Sequence, residues 1–272
     1  MAVTTAGGLV RCLIDADWPP GAGSPKAEVL ARRLGKARAR PVQWAGEVEL
    51  LHRLLSAQAG DGASVLEVAC GVGLTLLELS HRGLRVTGLE YDPALCRLAE
   101  SAARHFGIPG RSAAGDACAL PFADGSFDSV YSRSFFEHVY DVDAALREQV
   151  RVLRPGGTLV ISDGNLLNIR QLVDMLVLYP IRSRGRYGGL KWIFTKNRVH
   201  RDLYGYLARG RDEDIKTPSW WRRKIRSYPE LTLVEATTSA RHVHPGWPRL
   251  LWPFIGACLV VAKKAIGSPL DA

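Results

Sequence analysis

The sequence predicts an α/β fold built on a sheet of parallel strands, and two observations lead to that prediction. The segment from Val65 to Leu79, VLEVACGVGLTLLEL, is an apolar run of strand length, followed by a glycine-containing turn and by apolar residues at helical spacing. Strand-like runs then recur at the separation that a strand–helix–strand unit requires. Five such units within roughly 100 residues leave little room for another architecture.

The first unit carries a turn of the kind that binds nucleotides. At Gly71 and Gly73 the missing Cβ lets the backbone turn tightly and lets a ligand approach closely. The helix that follows would direct its free N–H groups at that ligand. Glu67 inside the strand, and the absence of a third glycine at the required spacing, argue against a pyrophosphate-binding fingerprint.

The later units follow in order along the chain. Arg85 to Glu90, RVTGLE, predicts a second strand that ends in a carboxylate, which can accept hydrogen bonds from both hydroxyls of a ribose. Asp116 follows the predicted third strand, where its carboxylate could meet an adenine amino group. Phe127 to Ser132 predicts the fourth strand, and LRPGGTLVISD predicts a turn and the fifth strand.

These motifs, taken together, resemble the class I S-adenosylmethionine-dependent methyltransferases, in the broad group of small-molecule enzymes similar to methyltransferase type 11. The resemblance covers about Val42 to Asp163 and, more weakly, the last two strands. It implies a Rossmann-like, seven-stranded mixed sheet with helices on both faces and an antiparallel last hairpin. ELTLVEATTS from Glu230 and the later IGACLVVAKK would supply that hairpin. The motifs that carry the resemblance are Glu67, Ala69, Gly71 and Gly73, then Glu90, then Asp116 with LPFADGSFD, and then LRPGG.

The resemblance also implies S-adenosylmethionine as the cofactor. The backbone around the glycine turn would hold its methionine end, and Glu90 would hold the ribose hydroxyls. Tyr91 would flank the adenine, while Asp116 and the Ala117 N–H would read the adenine edge. Ala69 departs from the family, which usually has glycine there. The residues implied to bind the cofactor are Glu67, Ala69, Gly71, Gly73, Glu90, Tyr91, Asp116, Ala117 and Ser132.

A candidate general base follows the fourth strand. His138, in SFFEHV, lies where the active site of the family opens, and an unperturbed histidine pKa of about 6.5 suits proton removal. Glu137 precedes it, and the two are the candidate catalytic residues. The alternative is a helix-start histidine bonded to backbone. Arg133 is a candidate substrate contact.

Composition limits the class of protein. With 272 residues and 47% hydrophobic content, the chain can bury a core without covalent staples. Its five cysteines show neither disulfide nor zinc spacing, so we expect reduced thiols, no metal and a cytoplasmic location. The apolar stretch Leu250 to Ala262 is too short to span a membrane and predicts a buried strand.

A basic, aromatic insertion is predicted between the fifth and sixth strands of the sheet. From Ile181 to Glu230 there are 14 Lys or Arg and 5 Asp or Glu, and 14 − 5 = +9 equals the net charge of the chain. We favour a pocket for an anionic or aromatic acceptor, with Trp220 and Trp221 as substrate contacts. Peripheral contact with an anionic membrane is the second interpretation. Nucleic acid is the third and is disfavoured, because no RNA-binding module is recognisable.

Smaller segments complete the predicted organisation. Lys26 to Leu34 and Glu47 to Leu55 predict cap helices, and Thr217-Pro218 predicts the start of another helix. Trp44 either closes over the cofactor or packs the cap on the sheet. The oligomeric state is left open. The predicted segments are a leader and cap (1–41), a cofactor-binding core (42–165), a lid or insertion (166–229), the last two strands (230–265) and a tail (266–272).

The sequence therefore predicts a methyltransferase that acts on O, N or C of a small, anionic or aromatic acceptor, with secondary metabolism as the expected setting. Two alternatives stay open. One is a lipid-linked acceptor reached at a membrane surface, and the other is a protein of this fold that binds the cofactor without methyl transfer.

Overall fold

The computed structural model describes residues 41–57, 60, 62–169, 173, 177, 181, 199–201, 207–209, 216–243, 246 and 256–266. The predicted leader and the predicted helix over Lys26–Leu34 lie outside the described residues, as does most of the basic insertion. The elements are, in order, α1 Pro41–Ser56, β1 Ser64–Val68, α2 Leu74–His81, β2 Arg85–Glu90, α3 Pro93–Phe106, β3 Arg111–Ala114, β4 Phe127–Arg133, α4 Val142–Val152, β5 Leu153–Asp163, β6 Val199–Arg201, β7 Leu207–Arg209, α5 Pro218–Arg226, β8 Leu231–Thr238, α6 Ala240–Val243 and β9 Cys258–Lys264.

Seven of the described strands form one mixed sheet in the order β3-β2-β1-β4-β5-β9-β8. β1 pairs in parallel with β2, and β2 pairs in parallel with β3. β9 runs antiparallel to both β5 and β8, which confirms the predicted closing hairpin. The strand order reverses between β1 and β4, and ligands of open α/β sheets bind beyond the carboxyl ends of the strands at such a point. A separate antiparallel pair, β6 with β7, lies within the predicted insertion.

The chain divides into two compact units, and the division runs through β4 and β5. The first unit contains Met1–Tyr131 and Val152–Gly157, and the second contains Ser132–Arg151 and Thr158–Ala272.

In the first unit the central strand β1 is covered on both sides, and α3 has clear sequence signals at both ends. All residues of β1 after Ser64 are buried, as fits a central strand of a parallel sheet. α3 begins at Pro93 because the Asp92 side chain accepts a hydrogen bond from the Ala94 N–H at 2.8 Å, and it ends at Gly107 in the left-handed region, with φ of 65°. The apolar face of α3 is buried through Leu95, Cys96, Ala99, Ala102 and Ala103.

A polar clamp fixes the start of β4 in the first unit. Asp128 accepts a hydrogen bond from the Ser64 N–H at 2.7 Å, and the Asp128 N–H donates to the Ser64 hydroxyl at 3.1 Å. Arg154 forms an ion pair with the same carboxylate. The amino-terminal ends of β1, β4 and β5 are therefore held in register by one buried aspartate.

In the second unit, α5 packs on β8 and β9. The predicted helix start is confirmed, since the Trp220 N–H donates to the Thr217 hydroxyl at 3.1 Å. The helix turns Trp221 and Ile225 inward, and Lys224 pairs with Asp143 of α4. This part of the predicted insertion is therefore a helix packed on the sheet. One of its positive charges, that of Lys224, forms an ion pair within the fold.

Three local predictions differ from the structure. Residues 115–126 between β3 and β4 contain turns and no helix, so these two strands are joined without the expected helix. β5 begins at Leu153, and Gly156 with φ of 77° lies within it, so LRPGG is part of the strand. The helix predicted over Glu47–Leu55 begins earlier, at Pro41, so Trp44 lies within it.

Candidate functional site

The turn between β1 and α2 has an unusual backbone conformation. Ala69, Gly71 and Gly73 all have positive φ, of 60°, 58° and 76°. A Cβ on Gly73 would lie 2.7 Å from the Ala99 Cβ, so this glycine is required where α2 approaches α3. A Cβ on Gly71 would meet nothing within 4 Å. The turn therefore presents open space beside its backbone at Gly71.

Ala69 is the one position of this turn with a Cβ in the left-handed region. An L-residue with a Cβ pays about 1 kcal/mol for that conformation relative to glycine. Strain of this kind persists where the surrounding structure enforces it, as at ligand-binding turns. The departure from the usual glycine thus costs stability, yet the turn keeps its shape.

Glu90 links the turn to the end of β2. Its carboxylate, in a residue only 3% exposed, accepts hydrogen bonds from the Gly71 N–H at 2.9 Å and from the Asp92 N–H at 3.1 Å. Burial raises the pKa of this carboxyl group, and the backbone N–H groups of Asp92, Gly71 and Tyr91 oppose that rise. The carboxylate is thereby fixed between the glycine turn and the start of α3.

Two more predicted cofactor residues, Tyr91 and Asp116, follow the ends of β2 and β3 at this edge of the sheet. Tyr91 is 57% exposed, so its ring is available to a ligand and is not part of the core. The Gly115 N–H donates to the Glu90 carbonyl at 3.0 Å, which brings the end of β3 beside the end of β2. Asp116 is half-buried and accepts a hydrogen bond from the Cys118 N–H at 2.8 Å.

The remaining predicted residues of the first unit are less accessible. Glu67 within β1 and Ala117 after β3 are buried, and Trp44 on α1 is half-buried. A cavity of about 520 Å³ in this unit is lined by α3, β3 and the loop between them, and none of the predicted cofactor residues lines it.

The second unit holds the loop that follows β4. The Ser132 side chain is buried, and its hydroxyl has no hydrogen-bond partner among the described residues. Arg133 is half-buried at the last position of β4. The next two residues are tied to the end of β5, because the Ser134 N–H donates to the Ser162 carbonyl and the Phe135 N–H to the Asp163 carboxylate, both at 2.8 Å.

The predicted base lies on this loop. His138 Nε2 is 3.6 Å from Glu137 Oε1, which makes an ion pair when the imidazole is protonated. Asp163 is buried beside them. Burial and the charge of Glu137 raise the pKa of Asp163 to about 7, and the Phe135 N–H, His138 and Lys216 act in the opposite direction. No three His, Cys, Asp or Glu side chains in the described part of the chain are arranged to hold a metal ion.

Neither Asp163 nor Lys216 is among the site residues that the sequence predicts. Asp163 carries the same signal as Glu90, a carboxylate in the last position of a predicted strand, here LVISD. Lys216 is one cation among many in the basic segment, and its burial was not visible in the sequence pattern.

The structure corrects the predicted role of Trp221. Its side chain is 0% exposed and packs edge-on against Phe136 and Trp220, with ring centroids 5.0 Å apart in both pairs. It is a core residue, because the apolar face of α5 must be buried against the sheet. Trp220 is half-buried, and Lys216 Nζ lies 5.3 Å from its ring centroid.

A glycine turn and carboxylates at strand ends, placed where the strand order of an open α/β sheet reverses, define the class of nucleoside-cofactor-binding proteins. Residues 66–161 match the family model described as a methyltransferase domain. A demethylmenaquinone methyltransferase from Mycolicibacterium paratuberculosis is 40% identical over 210 residues, covering 77% of this chain and 78% of that protein. One from Thermobifida fusca is 30% identical over 210 residues, covering 76% and 78%.

The chain therefore belongs to the S-adenosylmethionine-dependent methyltransferases, and it uses this cofactor to methylate a small molecule. The crystal structure of geranyl diphosphate C-methyltransferase from Streptomyces coelicolor A3(2) aligns with a TM-score of 0.55 and 18% identity, covering 91% of this chain and 86% of that one. At that identity the likeness shows a shared fold alone.

The described residues fit the cofactor. The first turn of α2 has no side-chain cap, so its N–H groups are not claimed by a neighbouring side chain. Open space lies beside Gly71, and a buried carboxylate stands at the end of β2. A nucleoside with free ribose hydroxyls and an amino-acid tail needs these three features.

Proposed function

We propose that this enzyme methylates a hydroxyl or an activated ring carbon of a small aromatic acceptor of the phenol or quinol type. The observation that carries the proposal is the pairing of His138 with Glu137 on the loop directly after β4. The relatives that are named demethylmenaquinone methyltransferases support an acceptor of this chemical class. A cytoplasmic location is part of the proposal, because an odd number of cysteines without disulfide spacing is typical of a reducing compartment.

In this proposal the first unit binds the cofactor. Glu90 accepts hydrogen bonds from the ribose hydroxyls, Tyr91 covers the adenine, and Asp116 with the Ala117 N–H reads the adenine edge. Gly71 lets the amino-acid tail approach the backbone. When bound, S-adenosylmethionine supplies an electrophilic methyl group on a positively charged sulfur.

In this proposal the second unit accepts the proton that the acceptor releases. Methylation of a phenolic hydroxyl or of the ring releases one proton, and His138 accepts it. The imidazolium that forms is stabilised by the Glu137 carboxylate, 3.6 Å from Nε2. Positioning of the acceptor and exclusion of water supply the remainder of the rate. Arg133 and Trp220 are proposed to contact the acceptor.

Acceptor competition tests this function. The purified enzyme is incubated with S-adenosylmethionine and, separately, with a 1,4-naphthoquinol, a simple phenol and a primary aromatic amine, and S-adenosylhomocysteine and product mass are measured. We expect methylated product from the quinol or the phenol. Methylation of the amine alone would contradict the proposed acceptor class. Cofactor binding with no transfer to any acceptor would favour the binding-only alternative.

A lipid-linked acceptor is the second candidate, and one observation favours it. Ile169, Val173, Val177 and Ile181 recur every four positions and are 48% to 69% exposed. The sequence that follows them carries the positive excess of the chain. Aliphatic side chains next to basic residues are typical of peripheral contact with an anionic membrane. Within the described residues, no helix combines the length and apolar composition that crossing a membrane requires.

Vesicle co-sedimentation tests this candidate. We expect the wild-type protein to sediment with phosphatidylglycerol vesicles and less with phosphatidylcholine vesicles, and the Val173→Asp, Val177→Asp double variant to lose most of that binding. Val234→Asp is the matched control, since Val234 is an equally exposed valine, at 57%, on β8. Equal binding by the double variant and the control would contradict the membrane role of this stripe.

A further inference from the structure

The end of β5 holds the loop that follows β4 at two consecutive points, one of them through the Asp163 carboxylate. The Phe135 N–H donates to Asp163 Oδ1 at 2.8 Å, and the preceding N–H, of Ser134, donates to the Ser162 carbonyl at the same distance. Ser134 has a positive φ of 47°, which a residue with a side chain adopts only when its surroundings enforce it. The end of β5 therefore fixes the conformation of the loop that carries Glu137 and His138.

The groups that face Asp163 come from each element around it. Glu137 and His138 belong to the loop after β4, Lys216 precedes α5, and Cys258 begins β9. Lys216 is buried, and its carbonyl accepts hydrogen bonds from the Leu166 N–H at 3.1 Å and from the Cys258 thiol at 3.5 Å. The cluster thus contains two acids and two bases, in a part of the protein from which water is largely excluded.

We propose that Asp163, balanced by Lys216, is a positioning residue of this enzyme: it orients the loop that carries His138, and its charge sets the pH range in which His138 accepts a proton. This inference rests on the proposed function, because it assigns a task to His138. Asp163 acts through the loop and need not touch the acceptor.

A carboxylate is not needed for the hydrogen bond alone. The carbonyl oxygen of asparagine accepts an N–H equally well, and burying a charge is costly unless the charge interacts with partners. A carboxylate beside an imidazole favours the protonated imidazole. Burial raises the pKa of Asp163 to about 7, so its charge changes within the working pH range. The hydrogen bond from Phe135 explains how the loop is oriented. The effect of a negative charge on His138 explains why position 163 holds an acid and not an amide.

The matched pair Asp163→Asn and Asp128→Asn tests the role of the charge. Both aspartates are buried and both accept a backbone N–H, but Asp128 lies at the start of β4 in the other unit. We expect Asp163→Asn to move the acidic limb of the pH profile of kcat/KM by about 0.5 pH unit toward lower pH, because the fraction of Asp163 that is ionised near pH 7 favours the protonated imidazole and asparagine carries no charge. The apparent KM for the acceptor on the plateau should stay close to that of wild type.

Asp128→Asn should leave the pH profile in place. A profile of Asp163→Asn that superimposes on that of wild type would overturn the proposed role of the charge. Asp163→Ala removes the hydrogen bond as well, and we expect at least a ten-fold lower kcat with the acceptor KM little changed. Full activity of Asp163→Ala would overturn the orienting role.

A stability series separates this inference from the proposed function. The folded-state pKa of Asp163 is raised, so folded protein holds this proton where unfolded chain has lost it. The stabilising contribution is complete below about pH 4 and is lost as the pH rises to about 7. We expect the urea midpoint of wild type, measured relative to that of Asp163→Asn at the same pH, to decrease as the pH rises from about 4.5 to about 7.

A constant difference between the two midpoints would overturn the inference. The measurement uses no substrate, so it stands even where the proposed acceptor class fails. Failure of the proposed function would instead appear as undiminished activity of a variant at His138, and the stability series would be unaffected.

Discussion

Replacement of His138 by glutamine is expected to lower kcat for methyl transfer by about 10²- to 10⁴-fold, the usual contribution of a general base. Glutamine has a similar size and can still form hydrogen bonds, but it cannot take up a proton at neutral pH. The affinity for S-adenosylmethionine should not change, since the proposed cofactor contacts lie on other residues. Initial rates at saturating cofactor and acceptor, with calorimetry for affinity, give both quantities.

His242→Gln is the control for this variant. His242 also pairs with a glutamate, since its Nε2 lies 3.0 Å from Glu235 Oε2, but it lies on α6 and does not follow β4. We expect its kcat to stay within about two-fold of wild type, as for a surface substitution outside the site. Equal rates for His138→Gln and His242→Gln would remove His138 from the mechanism.

Replacement of Glu90 by alanine is expected to weaken the binding of S-adenosylmethionine and S-adenosylhomocysteine by at least about 100-fold. Hydrogen bonds to a charged group contribute about 1.5 to 3 kcal/mol each, and in the proposed complex two ribose hydroxyls donate to this carboxylate, for about 3 to 6 kcal/mol together. The variant also leaves the N–H groups of Gly71 and Asp92 without their acceptor. Part of the loss therefore comes from a less ordered turn, and we expect a lower unfolding midpoint as well.

Glu90→Gln separates these two effects. An amide oxygen can still accept an N–H of the turn, so the fold should be largely retained while affinity falls, because the amide offers fewer acceptor sites than a carboxylate. Glu78→Gln is the control, as Glu78 is another buried acid of the same unit but lies within α2. An affinity of Glu90→Gln equal to that of Glu78→Gln would contradict the role of Glu90 in binding ribose.

The strands of the sheet and the residues at their ends could be predicted from the sequence. β2 matches its predicted range, Arg85 to Glu90, because its apolar residues are typical of a largely buried strand and the carboxylate of Glu90 marks its end. The closing hairpin was implied by the resemblance to the family, which assigned it to the runs that became β8 and β9. The signal for β2 is local, so one sequence is sufficient to read it.

The features that were missed depend on tertiary contacts. Trp221 was expected to meet substrate, yet it is buried, because the sequence of a short helix does not say which layer its apolar face will cover. The β3–β4 connection was expected to contain a helix and contains turns instead. The cluster of Asp163 with Lys216 joins residues 53 positions apart by subtraction (216 − 163), and no local pattern reports such a contact.

Calorimetric titration of the wild-type protein with S-adenosylhomocysteine tests the central claim most directly, because it asks only whether the glycine turn and Glu90 bind the cofactor. The predicted result is saturable binding at one site per chain, competitive with S-adenosylmethionine. Absence of binding by a folded protein, or binding that S-adenosylmethionine does not displace, would contradict it.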